Sequence, residues 1–153
     1  MNPPTDPQES LAHPESSAVE NYLNILQSVV ARMANNSNNC KAWCVTLVSA
    51  LLVVLVDKDQ SSYGWIALVP IVLFCFLDAY YLGLERGFRG TYNDFVKRLH
   101  SGAAPMSDVY KVVPVKGWNV VQATGQSITS FAIYPFYGSL LIITVFAYVF
   151  TSL

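Results

Sequence analysis

Tyr63 to His100 reads YGWIALVPIVLFCFLDAYYLGLERGFRGTYNDFVKRLH. The first half is an apolar run of the kind that crosses a bilayer. From Asp78 onward it turns amphipathic, with no turn signal to interrupt helical spacing. The stretch predicts one long helix over 63–100, in lipid for its first half and extended into the cytosol for its second. Pro70 is expected to kink the span. Asp78 is the costly residue, because an aspartate well inside lipid is unfavourable by about 2.5–3.5 kcal/mol on insertion scales. It therefore either pairs at the interface or lines a polar path. Past it, Glu85 and Arg89 form an i, i+4 pair. Gly83 and Gly87 each cost about 1 kcal/mol of helix propensity, which points to close approach by another helix. Tyr81, Leu84, Phe88, Tyr92, Phe95 and Leu99 continue an apolar stripe into water. Such a stripe needs a cover, chiefly the N-terminal helix and secondarily a second subunit.

Upstream, Cys40 to Val56 reads CKAWCVTLVSALLVVLV, about 17 residues or roughly 25 Å of helix, enough for a first membrane span. Lys41 and Trp43 anchor its start, and Ser49 and Ala50 are small enough to admit a neighbouring helix. The polar turn at 57–62 makes the two spans an antiparallel hairpin. Counting outward from that turn brings Lys41 level with Asp78. Two readings stay open there: an interfacial ion pair fixing the hairpin, or polar groups lining a pore.

Further upstream, Ser17-Ala-Val-Glu20 has the form of a capping box. It opens an amphipathic helix over 17–35, with Val19, Tyr22, Leu23, Leu26, Val29, Val30 and Met33 on one face. Arg32 is the only basic residue on the other face, so this helix is expected to dock on protein and not on anionic lipid. The asparagine-rich run Asn35–Asn39 is expected to end it, and its Asn35-Asn36-Ser37 acceptor is placed on the cytosolic side. Residues 1–16 read as a disordered, proline-rich tail with no cleavable signal peptide.

Downstream, Gly102, Pro105, Pro114, Gly117 and Gly125 break the cytosolic segment 101–126. It is expected to be irregular or to hold a short β-hairpin pairing Val109–Val113 with Trp118–Val121. Ser127 to Leu153 reads as a third membrane helix, with kink and contact points at Pro135 and Gly138. The fold class is thus an all-α integral membrane protein with three transmembrane helices, a tail at 1–16 and a single membrane domain over 17–153.

Composition agrees with this class: of 153 residues, 53% are hydrophobic and only 12% charged, with net charge −1. Nothing in that balance suits nucleic acid, which needs a basic face. Cys40, Cys44 and Cys75 read as buried thiols, and no histidine completes a metal set with them. His13 and His100 stand apart from any nucleophile or carboxylate, so no enzyme activity and no cofactor is expected. Arg32 and Lys41 precede the first span, and Arg86, Arg89, Lys97, Arg98, Lys111 and Lys116 separate the second from the third. The positive-inside rule then predicts a multi-pass inner-membrane protein with a cytosolic N-terminus and a periplasmic C-terminus.

The segments Arg32–Ser37 (RMANNS), Lys41–Ala50 (KAWCVTLVSA) and Phe76–Leu82 (FLDAYYL), followed by Glu85-Arg86 and Phe88-Arg89, resemble a family of small, largely uncharacterised bacterial membrane proteins. The resemblance covers about Tyr22 to Asn93. The architecture is also similar to short membrane effectors proposed to form pores in bacterial nucleotide-signalled antiphage systems, although this chain adds a third span and has no recognisable signal-binding domain. The resemblance implies a homo-oligomeric, pore-like effector gated through its cytosolic helices, with Lys41, Asp78, Glu85 and Arg89 pairing or lining the pore. Ser49, Gly83, Gly87 and Gly138 are the candidate helix contacts. The alternative is a non-conducting anchor that recruits a cytosolic protein to the 79–126 surface through Phe88, Tyr92, Phe95 and Leu99. Membrane lipids are partners in either case.

Overall fold

The structure, a computed structural model, describes residues 11–57 and 65–152. Four helices follow in order: α1 (Ser17–Asp57), α2 (Leu68–His100), α3 (Val120–Ile128) and α4 (Tyr134–Ser152). Among the described residues no strand forms, and the sole bridge joins Leu11 to Pro105. The expectations for residues 1–10 and for the polar turn at 58–62 lie outside the described residues.

The backbone of the fold is an antiparallel pair of long helices. α1 has 41 residues, about 60 Å at 1.5 Å per residue. It does not stop at Asn35–Asn39, contrary to expectation. The reason lies in its buried positions: Val19, Tyr22, Leu26, Ser37, Cys40, Cys44 and Val48 are all buried, and Val30 and Met33 are half-buried between them. Steps of three and four run unbroken through the asparagines, so one stripe faces α2 along the whole helix. Weak asparagine propensity is outweighed by packing on both sides of the run. The helix also begins one residue earlier than a Ser17 cap requires. Ser17 is already helical, and Glu20 N–H donates to the Ser16 carbonyl.

The polar end of this hairpin carries an aromatic core. Tyr22 meets Phe95 edge-on at 4.9 Å between centroids, and Val19, Leu26, Leu99, Ala104 and Val109 close around them. Leu11 to Ser16 belong to this end and not to a disordered tail: Ala12 is buried and its N–H donates to the Ala104 carbonyl at 2.8 Å. α2 ends in a Schellman motif, with Ala103 N–H donating to Arg98 and Gly102 N–H to Leu99. Gly102 supplies the φ of +66° that this stop requires.

The β-hairpin expected in 101–126 is absent. Residues 106–108 make one 3-10 turn, and 120–128 are helical. Asn119 decides the second point, its side chain accepting from Val121 N–H at 2.9 Å and Gln122 N–H at 3.3 Å. That N-cap offsets the β preference of the two valines. α3 takes Ser127 and Ile128, so the last apolar helix starts at Tyr134 and not at 127. Neither proline falls mid-helix. Pro70 is the third residue of α2 and Pro135 the second of α4, positions whose N–H has no intrahelical partner to lose.

α4 packs its Tyr137, with Ile133 just before it, against Cys44, Val48, Ile71 and Ala79 at the apolar end. Outside that contact, large apolar side chains point away from the chain: Val53, Val72, Phe76, Ile142, Phe146 and Phe150 are all exposed. α1 and α2 are each long and apolar enough to cross a membrane, and α4 is a shorter apolar helix.

Candidate functional site

The site is a buried clasp where the apolar and polar ends of the hairpin meet. Ser37 and Lys41 lie one turn apart on α1, so both reach toward the same point on α2. That point is Asp78, 0% exposed. Its Oδ2 lies 2.5 Å from Lys41 Nζ, and its Oδ1 accepts a short hydrogen bond from the Ser37 hydroxyl. Lys41 Nζ also lies 3.4 Å from Ser37 Oγ, which closes the triangle. Beside it Cys44 and Ala79 are buried, and Tyr137 Oη donates to the Phe74 carbonyl at 3.1 Å. The carboxylate therefore has no exposed face within the chain. Removing two charges from water is costly, so the net gain of such a clasp is small. Its value lies in register, since breaking one partner strands the other.

A second group of side chains lies along α2 beyond the clasp. Glu85 is buried and pairs with the exposed Arg89. Arg86 donates to Ser127 Oγ at 3.3 Å and to Ser130 Oγ at 2.9 Å. Gly83, Gly87 and Gly90 form a trough for the returning chain. A Cβ at Gly83 would lie 3.3 Å from the backbone of Ala123 and Thr124, and one at Gly87 would lie 2.7 Å from the Trp118 ring. One at Gly90 would lie 2.9 Å from Val115. The neighbour at these glycines is thus the chain's own 115–124 segment.

Of the other sequence candidates, Ser49 and Gly138 sit on outward faces; Ser49 is exposed and a Cβ on Gly138 would meet nothing within 4 Å. The stripe proposed for a partner is divided. Phe95 is 1% and Leu99 7% exposed, both in the aromatic core and closed to any partner. Phe88 and Tyr92 are half-buried, with Tyr92 Oη accepting from Gln27 Nε2 at 3.1 Å.

Sequence reading missed Ser37, which looked like one more polar residue in a helix-ending run. It also missed Asp108, which accepts from Arg98 at 2.6 Å and from Lys111 at 2.9 Å. Hydrogen bonds from Arg98 first, and then Lys111, hold the Asp108 carboxyl below its ordinary value. Nearby, Tyr22 Oη donates to the Lys111 carbonyl at 2.7 Å. Burial chiefly, and then the Asp108 charge, pushes the Tyr22 phenol up. These groups border an open cleft of about 270 Å³ that also touches Thr91, Asp94 and Lys116. Asp108 already neutralises much of its positive charge. Neither Ser37 nor Asp108 was signalled in sequence, because each contact joins residues on different elements, Ser37 to Asp78 and Asp108 to Arg98.

Fold and site together define an all-helical protein with two helices able to span a membrane, locked to each other by a buried ion pair. No protein-family model matches the chain, and no curated protein or solved structure matches it at a significant level.

Proposed function

We propose that this protein is a small oligomeric inner-membrane effector of pore-like type, held closed at rest by the Lys41–Asp78–Ser37 clasp and gated through its cytosolic helices. One observation carries the reading. α1 and α2 run unbroken from the aromatic core at the polar end into the apolar end, and the clasp joins them where the two meet. A displacement of the polar end is therefore transmitted to both spans as movement of stiff rods, and the clasp is the element that resists it. α4, with 19 residues, is about 28 Å long and serves as a third span. Arg86, Arg89, Lys97 and Arg98 lie in the half of α2 past Asp78, and Lys111 and Lys116 lie between α2 and α3, which favours a cytosolic polar end, a cytosolic N-terminus and a periplasmic C-terminus. Outward-facing Ser49 and Gly138 are where a second copy packs closely. The resemblance to short antiphage effectors suggests bacterial defence as the setting.

The test is dye leakage from liposomes carrying the full chain, with oligomeric state measured by cross-linking. Asp78→Asn is expected to raise leakage above wild type, because the clasp loses its charge pairing. No leakage from either protein, with both monomeric, would overturn the reading.

A second reading, a non-conducting anchor recruiting a cytosolic protein to 79–126, is favoured by one feature. The clasp leaves no polar path within a single chain, and the remaining outer surface of the spans is mostly apolar. A stoichiometric partner recovered in pull-down, and lost on Val113→Asp with insertion intact, would favour it.

A further inference from the structure

α3 presents three faces: a mixed one packed on α2, an exposed polar one, and an exposed one that carries Val121 and Ile128. Successive residues on a helix are about 100° apart, so its nine positions fall into three sectors. Thr124, Ser127, Val120 and Ala123 face α2, with Thr124 and Ser127 buried. Val121, Gly125 and Ile128 form the next sector, and Val121 is 77% exposed. Gln122 and Gln126 make the third, with Thr129 following in phase, and all three are exposed. A helix in water with one protein neighbour needs two sectors. A third, apolar and uncovered, needs another solvent.

The surroundings say which solvent. α3 crosses α2 at Gly83, five residues past Asp78, roughly 7–8 Å along the axis from the clasp. The chain then passes Phe131, 82% exposed, and enters α4 at Tyr134. Val121, Ile128 and Phe131 thus continue the apolar exterior of α4 toward the polar end. Phe131 and Tyr134 rings meet edge-on at 6.2 Å, and Tyr134 is exposed too. Exposed aromatics at the end of an apolar helix suit the headgroup level of a bilayer. Arg86 sits at the same level. Both its named partners are neutral serine hydroxyls, and among the described residues it has no carboxylate partner. Its charge is thus left for an anion, and lipid phosphates lie at that depth.

We infer that α3 and Phe131 form an interfacial element. Val121, Ile128 and Phe131 lie in the outer acyl layer, Gln122, Gln126 and Thr129 face water, and Arg86 faces lipid phosphate. This placement rests on the reading of α1, α2 and α4 as membrane spans, and not on conduction. Its occupant is the host bilayer itself.

The test is depth-dependent quenching of an environment-sensitive fluorophore on single added cysteines, in full-length protein reconstituted into phosphatidylethanolamine–phosphatidylglycerol liposomes. Val121→Cys, Phe131→Cys, Gln122→Cys and Gln126→Cys are all exposed positions. Labelling of the unsubstituted chain sets the background from its three native thiols. Nitroxide on the acyl chain is expected to quench positions 121 and 131 at least about fivefold more than 122 and 126. Phe146→Cys, on the outer face of α4, is the control for the spans. Equal quenching at all four positions, with Phe146→Cys strongly quenched, overturns the interfacial placement and leaves the spans standing. An unquenched Phe146→Cys overturns the membrane reading and this placement with it.

Discussion

The two ends of the α1–α2 hairpin are built on opposite rules. At the polar end, large side chains go inward: Tyr22, Leu26 and Phe95 are among the most deeply buried residues in the structure. At the apolar end α1 and α2 bury the smaller Cys44, Val48 and Ala79 beside Ile71, with Ile133 and Tyr137 packed on them, while Phe76, Ile142, Phe146 and Phe150 point out. Water drives the first arrangement, since each large apolar group buried there leaves an aqueous surface. The proposed bilayer setting accounts for the second: in hydrocarbon that drive vanishes, helices gain from close backbone approach, and bulky groups suit the lipid side. The same two helices therefore change their packing logic at Asp78, and the clasp is the seam.

The sharpest way to break this contrast is at the seam. Lys41→Met leaves Asp78 buried without its cation and is expected to cost about 3–5 kcal/mol. Thermal unfolding in detergent would record a large drop in midpoint. The double variant Lys41→Met with Asp78→Leu should recover most of it, because an apolar pair needs no compensation. Failure of the double variant to recover would mean that Ser37 and register matter more than the charge.

Next in size is the polar end. Leu26→Ala should cost about 3–4 kcal/mol, the middle of the range for a buried leucine. Hydrogen exchange is expected to rise along Ser17–Met33 and in the 104–109 segment while α4 keeps its protection. Equal loosening at both ends would show that they do not respond as separate units.

Gly87→Ala tests the trough. Its Cβ would lie 2.7 Å from the Trp118 ring, so the ring must move, at about 1–3 kcal/mol. A shift in tryptophan emission should accompany the loss, and its absence would place the strain elsewhere.

The smallest effect is acid sensitivity confined to the polar end. The folded Asp108 carboxyl titrates below its ordinary value of 3.8. The stability it contributes is present above that value and is lost as pH falls through the folded one. Aromatic circular dichroism from the Tyr22–Phe95 pair should weaken only below about pH 4. Asp108→Asn should flatten that response.

Much of the hairpin was legible because its signals are periodic. Counting outward from the polar turn brings Lys41 opposite Asp78, and the two are paired. The covering of Phe95 and Leu99 by the N-terminal helix follows from the matched stripes. The continuity of α1 was also written in the chain, in the three-and-four spacing from Val19 to Val48, but five polar residues at 35–39 masked it. That run is short beside the thirty-residue stripe that continues on either side of it. The 101–133 region was least legible. Val109–Val113 and Val120–Val121 have strand-like composition, yet the glycine trough, the Asn119 cap and the Asp108 hub decide their conformation through contacts distant in sequence. No periodicity reports such contacts. Ser37 was hidden for the same reason, since its role exists only once Asp78 is opposite.

The long reach of the aromatic core has a consequence for biogenesis. Tyr22 leaves the ribosome about 70 residues ahead of Phe95, so at about 5–20 residues per second its apolar face waits bare for roughly 4–15 s. Both long helices must be made before that face finds its cover. Docking of the nascent N-terminal segment onto α2 is therefore the event that marks the hairpin as complete.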